Sequence, residues 1–271
     1  MDNVQRTLDY RLFIAVVENE LAQAEEMLTS GANPNGDSGI GYCMLHVAAE
    51  KGFCDMARLL LRHSADIEGR SSMATHGQGP LHVACEHGQK DMAALLMEHG
   101  ANLQSRDNYG RAPLALCKCA NTAGLLLDAG ADIHATDIFG MQAIHHAAAT
   151  NAEILFLLIA RGADVDALAN DGDRPLHFAA LHGKAANIDL LLAAGANAGA
   201  RNDFGATPAE VNEDAATRNA FANGPSQEAI EKIRAIFPSP HEEAKRHLRK
   251  WRGRRPHGPS LCRKRLPTPK F

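Results

Sequence analysis

Fourteen histidines and six cysteines are the residues of this 271-residue chain best suited to do chemistry. His82, Cys85 and His87 lie close enough together to suggest zinc, and Cys117-Lys118-Cys119 is a C-x-C pair. A structural zinc site needs four ligands, usually from two such pairs at a defined spacing. No second pair accompanies Cys117 and Cys119. The chain also lacks a glycine-rich phosphate loop, a G-x-S-x-G elbow and an H-E-x-x-H helix. Asp107, Asp137, Asp164 and Asp203 recur beside turn residues, which is turn chemistry and not a paired-carboxylate site. The sequence therefore predicts no catalysis, no metal and no cofactor.

The histidines follow a different order. His46, His82, His145 and His177 fall at one position of a repeating unit. Its anchors are Gly79-Pro80-Leu81-His82, Ala112-Pro113-Leu114-Ala115, Gln142-Ala143-Ile144-His145, Arg174-Pro175-Leu176-His177 and Thr207-Pro208-Ala209. The Pro position steps by 33, 30, 32 and 33 residues. A second mark follows most anchors: Gly100-Ala101-Asn102, Gly130-Ala131-Asp132, Gly162-Ala163-Asp164 and Gly195-Ala196-Asn197. His63 and His99 fall just before such a mark, and His87 and His182 each precede a turn glycine. That regularity argues for structural roles.

One unit shows what positions these residues. Pro80 suits the first turn of a helix, where its missing N–H costs nothing. Leu81, Val83, Ala84 and Cys85 make a short inner helix that Gly88 ends in a left-handed turn. A second helix follows, with Met92, Leu95, Leu96 and Met97 on its packed face, and Gly100 stops it. Asn102 to Gly110 then forms an outward loop or hairpin. Such a unit leaves two apolar faces open, so it needs neighbours on both sides.

These positions resemble the ankyrin repeat family, which shares the period and the T-P-L-H-x-A signature. The resemblance runs from about Leu8 to Phe237. It implies an all-α ankyrin-repeat solenoid of about seven stacked helix pairs with outward loops or hairpins. Residues 1–35 would be an N-terminal capping pair, 36–206 five repeats, 207–237 a degenerate C-terminal cap, and 238–271 a basic tail. In the first cap Leu12, Phe13, Val16 and Val17 precede Leu21, Ala24 and Leu28. In the last, Ser226 is a good N-cap, and Ile230, Ile233, Ile236 and Phe237 form one stripe. The family's Thr survives only at Thr207, so most units should lose the Thr–His hydrogen bond that the resemblance implies. Repeat 112–134 is three residues short and has Ala115 where others have His. It is the place where the stack should open first. Ser71 to His76 adds about three residues to one tip.

No run of 18 apolar residues is present, and Met1-Asp2-Asn3-Val4-Gln5 does not read as a signal peptide. Cysteine spacing shows no disulfide framework, so a reduced intracellular setting, cytoplasmic or nuclear, is expected. Net charge is −4 but unevenly placed. Residues 238–271 hold 11 Lys and Arg against 2 Glu, or +9, leaving 17 against 30, or −13, for the rest.

In ankyrin proteins the loop tips and the inner-helix face form a concave binding groove. One tip position here reads Tyr109, Phe139, Asp171, Phe204. Three aromatics a repeat apart suit a recognition stripe, and packing of each ring on the next loop is the alternative. Arg111, Met141 and Asp173 beside them vary as a partner-reading position would, and Ile138 with Phe139 is the most exposed-looking apolar pair. The contact centre is therefore expected in repeats 112–166.

In the tail, Ser239-Pro240-His241-Glu242 reads as a capping box opening a helix to Trp251. Its basic residues are Lys245, Arg246, Arg249, Lys250, Arg252, Arg254 and Arg255, followed by Arg263, Lys264 and Arg265. After Gly253 the composition suits disorder. A nuclear import signal, a clamp on the acidic repeats, and a helix that docks on an anionic membrane or calmodulin all fit. Nucleic-acid contact has only charge in its favour. Leu261-Cys262-Arg263 and Leu266-Pro267-Thr268-Pro269 resemble pieces of the SOCS box, a much longer segment that follows ankyrin repeats in some ubiquitin-ligase adaptors. The expected function is that of a monomeric, non-catalytic scaffold or adaptor for a protein partner. The alternatives are a regulator that masks a partner, and an effector or enzyme-complex accessory subunit.

Overall fold

The computed structural model describes residues 3–36, 43–70, 76–212 and 214–237, so the tail residues Lys245 to Arg265 lie outside the described part. Among the described residues there are 13 α-helices, one 3-10 turn and no strand. The helices come in pairs. α1 (Asn3–Val17) and α2 (Leu21–Thr29) form the first, α3 (Met44–Lys51) and α4 (Cys54–Arg62) the second, and α5 (Pro80–Glu86) and α6 (Lys90–Glu98) the third. The 3-10 turn Pro113–Leu116 precedes α7 (Ala120–Asp128). Then come α8 (Ala143–Thr150) with α9 (Ala152–Ala160), α10 (Pro175–Leu181) with α11 (Ala185–Ala193), and finally α12 (Ala215–Asn223) and α13 (Gln227–Ile236). Inner helices stack on inner helices, as α3 on α5 and α8 on α10, and outer helices on outer ones. The described residues up to Ile233 form one compact unit.

The core is built from most of the predicted positions, with Met97 only half-buried. Leu81, Val83, Ala84 and Cys85 are buried on α5, and Met92, Leu95 and Leu96 on α6. Gly88 and Gly100 sit at φ +69° and +89°, where a side chain would be strained. Pro80 and Pro175 take the first helical position, which donates no intrahelical bond.

Each buried histidine ties two units together. Nδ1 of His82, His145 and His177 accepts the N–H of Gly79, Gln142 and Arg174, three residues back. Nε2 must then carry the proton. It donates to Arg111 O, Ala167 O and Ala206 O respectively, at 3.0–3.2 Å, and His46 makes the matching contact to Gln78 O at 2.8 Å. Burial outweighs these hydrogen bonds and lowers the pKa of His46, His82 and His145, the last to about 4. A second set of links comes from carboxamides. Gln89 donates to Glu50 O, Asn187 to Ala147 O and Ala148 O, and Asn212 to Ala180 O and Leu181 O. These bonds reach carbonyls in the second half of an inner helix.

Three places differ from expectation. α1 begins at Asn3 rather than near Leu8, and Val17 at its far end and Leu21 at the start of α2 are 40% and 39% exposed, while Leu12 and Val16 are buried. The short repeat has only the 3-10 turn for an inner helix. Cys117 and Cys119 are already extended, so the chain has too few residues for a full turn before α7. Thr207-Pro208-Ala209 makes a turn, and the first helix of the last pair starts at Ala215. There Asp214 caps it by accepting the Thr217 N–H at 2.8 Å, whereas Ala209 offers little apolar surface in the position Leu holds elsewhere. Ser226 caps α13 through the Ala229 N–H, and Ala229 and Ile233 form its buried face. No described helix is long and apolar enough to cross a membrane.

Candidate interaction surface at the hairpin tips

The four described tips at 107–111, 137–141, 169–173 and 202–206 share a backbone. In each, the first residue donates its N–H to the carbonyl four residues on, at 2.9–3.1 Å. Asp107, Asp137 and Asn202 brace their tips by accepting two further N–H groups at one oxygen: Tyr109 and Arg111, Phe139 and Met141, Phe204 and Ala206. Such Asx bonding replaces the water a tight loop would otherwise need. Ala169 cannot do this, and there Asp171 accepts the Asp173 N–H at 3.2 Å. Adjacent tips are joined in a row: Asn108 N–H to His76 O, Ile138 N–H to Tyr109 O, Asn170 N–H to Phe139 O and Asp203 N–H to Asp171 O, at 2.8–3.0 Å. Gly140 needs its glycine twice over, for φ +74° and because a Cβ would lie 2.9 Å from the Asn170 nitrogen.

The side chains on this skeleton differ sharply. Tyr109 is covered on two sides. The His76 ring lies 5.2 Å away between centroids, and the Arg111 guanidinium sits 4.9 Å above the ring. Arg111 also donates to Asp107 Oδ2 through Nε at 2.7 Å, with a second guanidinium nitrogen at the same distance. At the next tip Met141 replaces Arg111, and the second oxygen of Asp137 accepts instead from His146 Nε2 at 3.0 Å. Burial works against the charge of Asp137, but His146 and the Met141 and Phe139 N–H groups together hold its carboxyl below the usual carboxylate range. Ile138 and Phe139 are left 57% and 53% exposed, Leu168 58% and Phe204 82%. Asp173 is partly buried and accepts from Asn202 Nδ2 at 2.7 Å.

So the row brings together all seven residues picked from sequence: Tyr109, Arg111, Ile138, Phe139, Met141, Asp173 and Phe204. Ile138, Phe139 and Phe204 present open apolar surface, whereas Tyr109 and Arg111 engage each other and their own tip. Leu168 was missed by sequence reasoning. Its position holds Arg106, Thr136 and Arg201 in the other tips, and an apolar residue in a polar register was the available signal. His146 was also missed, because nothing in its own sequence neighbourhood names Asp137 as its partner.

The other candidate chemistry resolves into packing. Cys85 is fully buried, and burial together with the neighbouring Cys117 thiol pushes its pKa up, away from the thiolate a metal would need. His99 and His182 turn back onto Leu95 O and Phe178 O at their own helix ends. Among the described residues no group of three or more His, Cys, Asp or Glu is placed to hold a metal.

Comparison with known proteins places this architecture. A family model described as ankyrin repeats (3 copies) matches residues 12–107, 70–137 and 114–202. Ankyrin repeat and SOCS box protein 6 of Homo sapiens is 34% identical over 158 residues, 55% of this chain, and the match spans 30% of that relative's length. Among solved structures, the human ASB11 ankyrin repeat domain superposes with a TM-score of 0.69 at 25% identity, covering 79% of this chain and 98% of the domain. The ankyrin repeat domain of Bcl-3, described as a unique member of the IkappaB protein family, gives 0.64 at 27% identity, covering 78% and 97%. The chain belongs to the ankyrin repeat family.

Proposed function

We propose that this chain is a non-catalytic interaction module that holds a protein partner on its tip row, as a scaffold or adaptor. One observation carries the reading. Ile138, Phe139, Leu168 and Phe204 stand more than half exposed on consecutive tips that main-chain hydrogen bonds hold in register. Apolar side chains on a rigid row lose little conformational freedom on binding, which favours affinity. A run of such residues in a monomer marks an interaction site more often than chance. The expected setting is intracellular.

Affinity capture from cell lysate with three baits tests the reading: the full chain, residues 1–237, and the full chain with Ile138, Phe139 and Phe204 changed to Ala. Circular dichroism would first establish equal helicity. A protein retained by the first two baits and lost with the third supports the tip row. One that remains on the third bait sinks it. A second reading is that the chain delivers its captured protein to an enzyme complex through residues 238–271. The similarity to Ankyrin repeat and SOCS box protein 6 favours it, together with Leu261-Cys262-Arg263 and Leu266-Pro267-Thr268-Pro269. It requires that the 1–237 bait keep the captured protein while losing a co-captured enzyme.

A further inference from the structure

Along the tip row, charge changes together with polarity. Asp171, Asp173 and Asp203 stand on two adjacent tips, linked by the Asp203 N–H to Asp171 O bond of 3.0 Å. Asp203 is exposed and the other two are partly so. Asp171 accepts only a backbone N–H and Asp173 only a neutral carboxamide. None of the three enters an ion pair among the described residues. The cations nearest in sequence are turned elsewhere: Arg174 toward Asp166 at 3.8 Å, and Arg201 to Gly205 O and Glu210. At the first tip, by contrast, Arg111 neutralises Asp107 at 2.7 Å. The row therefore runs from a self-neutralised tip, through the apolar pair Ile138 and Phe139, to three uncompensated carboxylates set between Leu168 and Phe204.

We infer that the row takes a partner segment in which apolar side chains are interleaved with Lys or Arg, its apolar anchors on Ile138 and Phe139 and its cationic residues over the Asp171–Asp203 tips. The inference rests on the tip row being the binding surface and adds the chemistry of what binds there. Such a segment would cover the exposed apolar area and bring the three carboxylates the counter-charge that no ion pair among the described residues supplies. An acidic or neutral segment of the same shape would leave three carboxylates partly desolvated without a counter-charge, which selects against it.

The test is selection of the full chain against an unbiased library of displayed 16-residue peptides, followed by affinity measurement on the recovered peptides. Three variants are compared with the native chain: D171N/D173N/D203N; D91N/E98Q/E153Q, which makes the same charge change on the outer helices; and F139A/F204A. Asn keeps the acceptor oxygen that Asp171 and Asp173 use, so the tips stay closed. The expected peptides are enriched in Lys and Arg beside apolar residues. They should bind at least tenfold more weakly to the first and third variants and within twofold of native to the second. Peptides that need Phe139 and Phe204 but carry no basic excess would overturn the inference and leave the tip reading standing. Equal weakening by both charge variants would reduce the effect to bulk charge and overturn it too. Peptides indifferent to Phe139 and Phe204, or no recovered binders, would overturn both.

Discussion

The tips at 107–111 and 137–141 share one backbone and opposite surfaces. Both are closed by an aspartate that accepts two N–H groups, and both hand a backbone hydrogen bond to the neighbouring tip. The first keeps its outward residues within the repeat stack, Tyr109 against His76 of the preceding tip and Arg111 against its own Asp107. The second leaves Ile138 and Phe139 more than half exposed. They also differ in how they are anchored. His82 of the preceding unit reaches Arg111 O at the first tip. The equivalent position for the second tip is Ala115, and its anchor comes from the following helix, where His146 donates to Asp137. Main-chain bonding thus fixes where a tip is, while its outward side chains are free to be spent on stability or on a partner.

The largest effect should come from pH. Neutral imidazole is the form the fold needs, because Nδ1 of His82 and His145 must accept and Nε2 must donate. Folded His145 titrates near 4 and the unfolded residue near 6.5, so the unfolded chain binds the proton first. Stability should be full above about pH 6.5 and fall as pH drops toward 4, by about 3 kcal/mol from His145 alone at the limit. The lowered pKa of Asp137 acts below that window, since its contribution is present above the ordinary carboxylate pKa of about 4 and lost beneath it. Urea unfolding between pH 4 and 7.5 measures the slope, and His145→Gln should flatten it.

Next in size, Asp107→Ala and Asp137→Ala should each cost about 2 kcal/mol, because two part-buried N–H groups in each tip lose a charged acceptor. A cost at Asp107 below half that at Asp137 would show that the two backbones are not equivalent. Third, the short repeat between the tips should exchange its amides faster than a complete one. Leu114–Leu127 is expected to be at least about tenfold less protected than Leu176–Leu192, where α10 is a full helix held by His177 and Asn212. Native-state hydrogen exchange reads this directly, and equal protection would mean that the missing turn and histidine cost nothing. The smallest effect should separate the tips themselves. Tyr109→Ala removes a tilted ring contact with His76 and a cation–π contact, together worth about 1 kcal/mol, whereas Phe139→Ala should change stability by less than about 0.5 kcal/mol. Thermal unfolding of both variants side by side would decide it.

Much of the fold was legible because it repeats. The Pro, Leu, His and Gly positions recur in register, and each is tied to a local requirement such as a helix start, a core contact, a bridging imidazole or a left-handed turn. The shortfall at 112–134 was legible for the same reason. The last pair was less so. Thr207-Pro208 carries the repeat's mark without the buried Leu and His that make it a helix, and the helix start moved to the capping residue Asp214. Within the candidate surface, the tip aromatics could be placed by spacing, but whether a ring is covered depends on contacts such as His76 to Tyr109, between residues 33 apart in sequence. Leu168 escaped because one apolar residue in a loop has no period of its own.

The most direct test of the central claim compares the two tips in binding. Affinity for a captured partner protein would be measured for Ile138→Ala/Phe139→Ala and, separately, for Tyr109→Ala. The double change at the open tip should weaken binding about thirtyfold or more, the scale of a hot spot near 2 kcal/mol, and Tyr109→Ala should stay within about threefold. Equal losses at both tips, or a larger loss at Tyr109, would contradict the account.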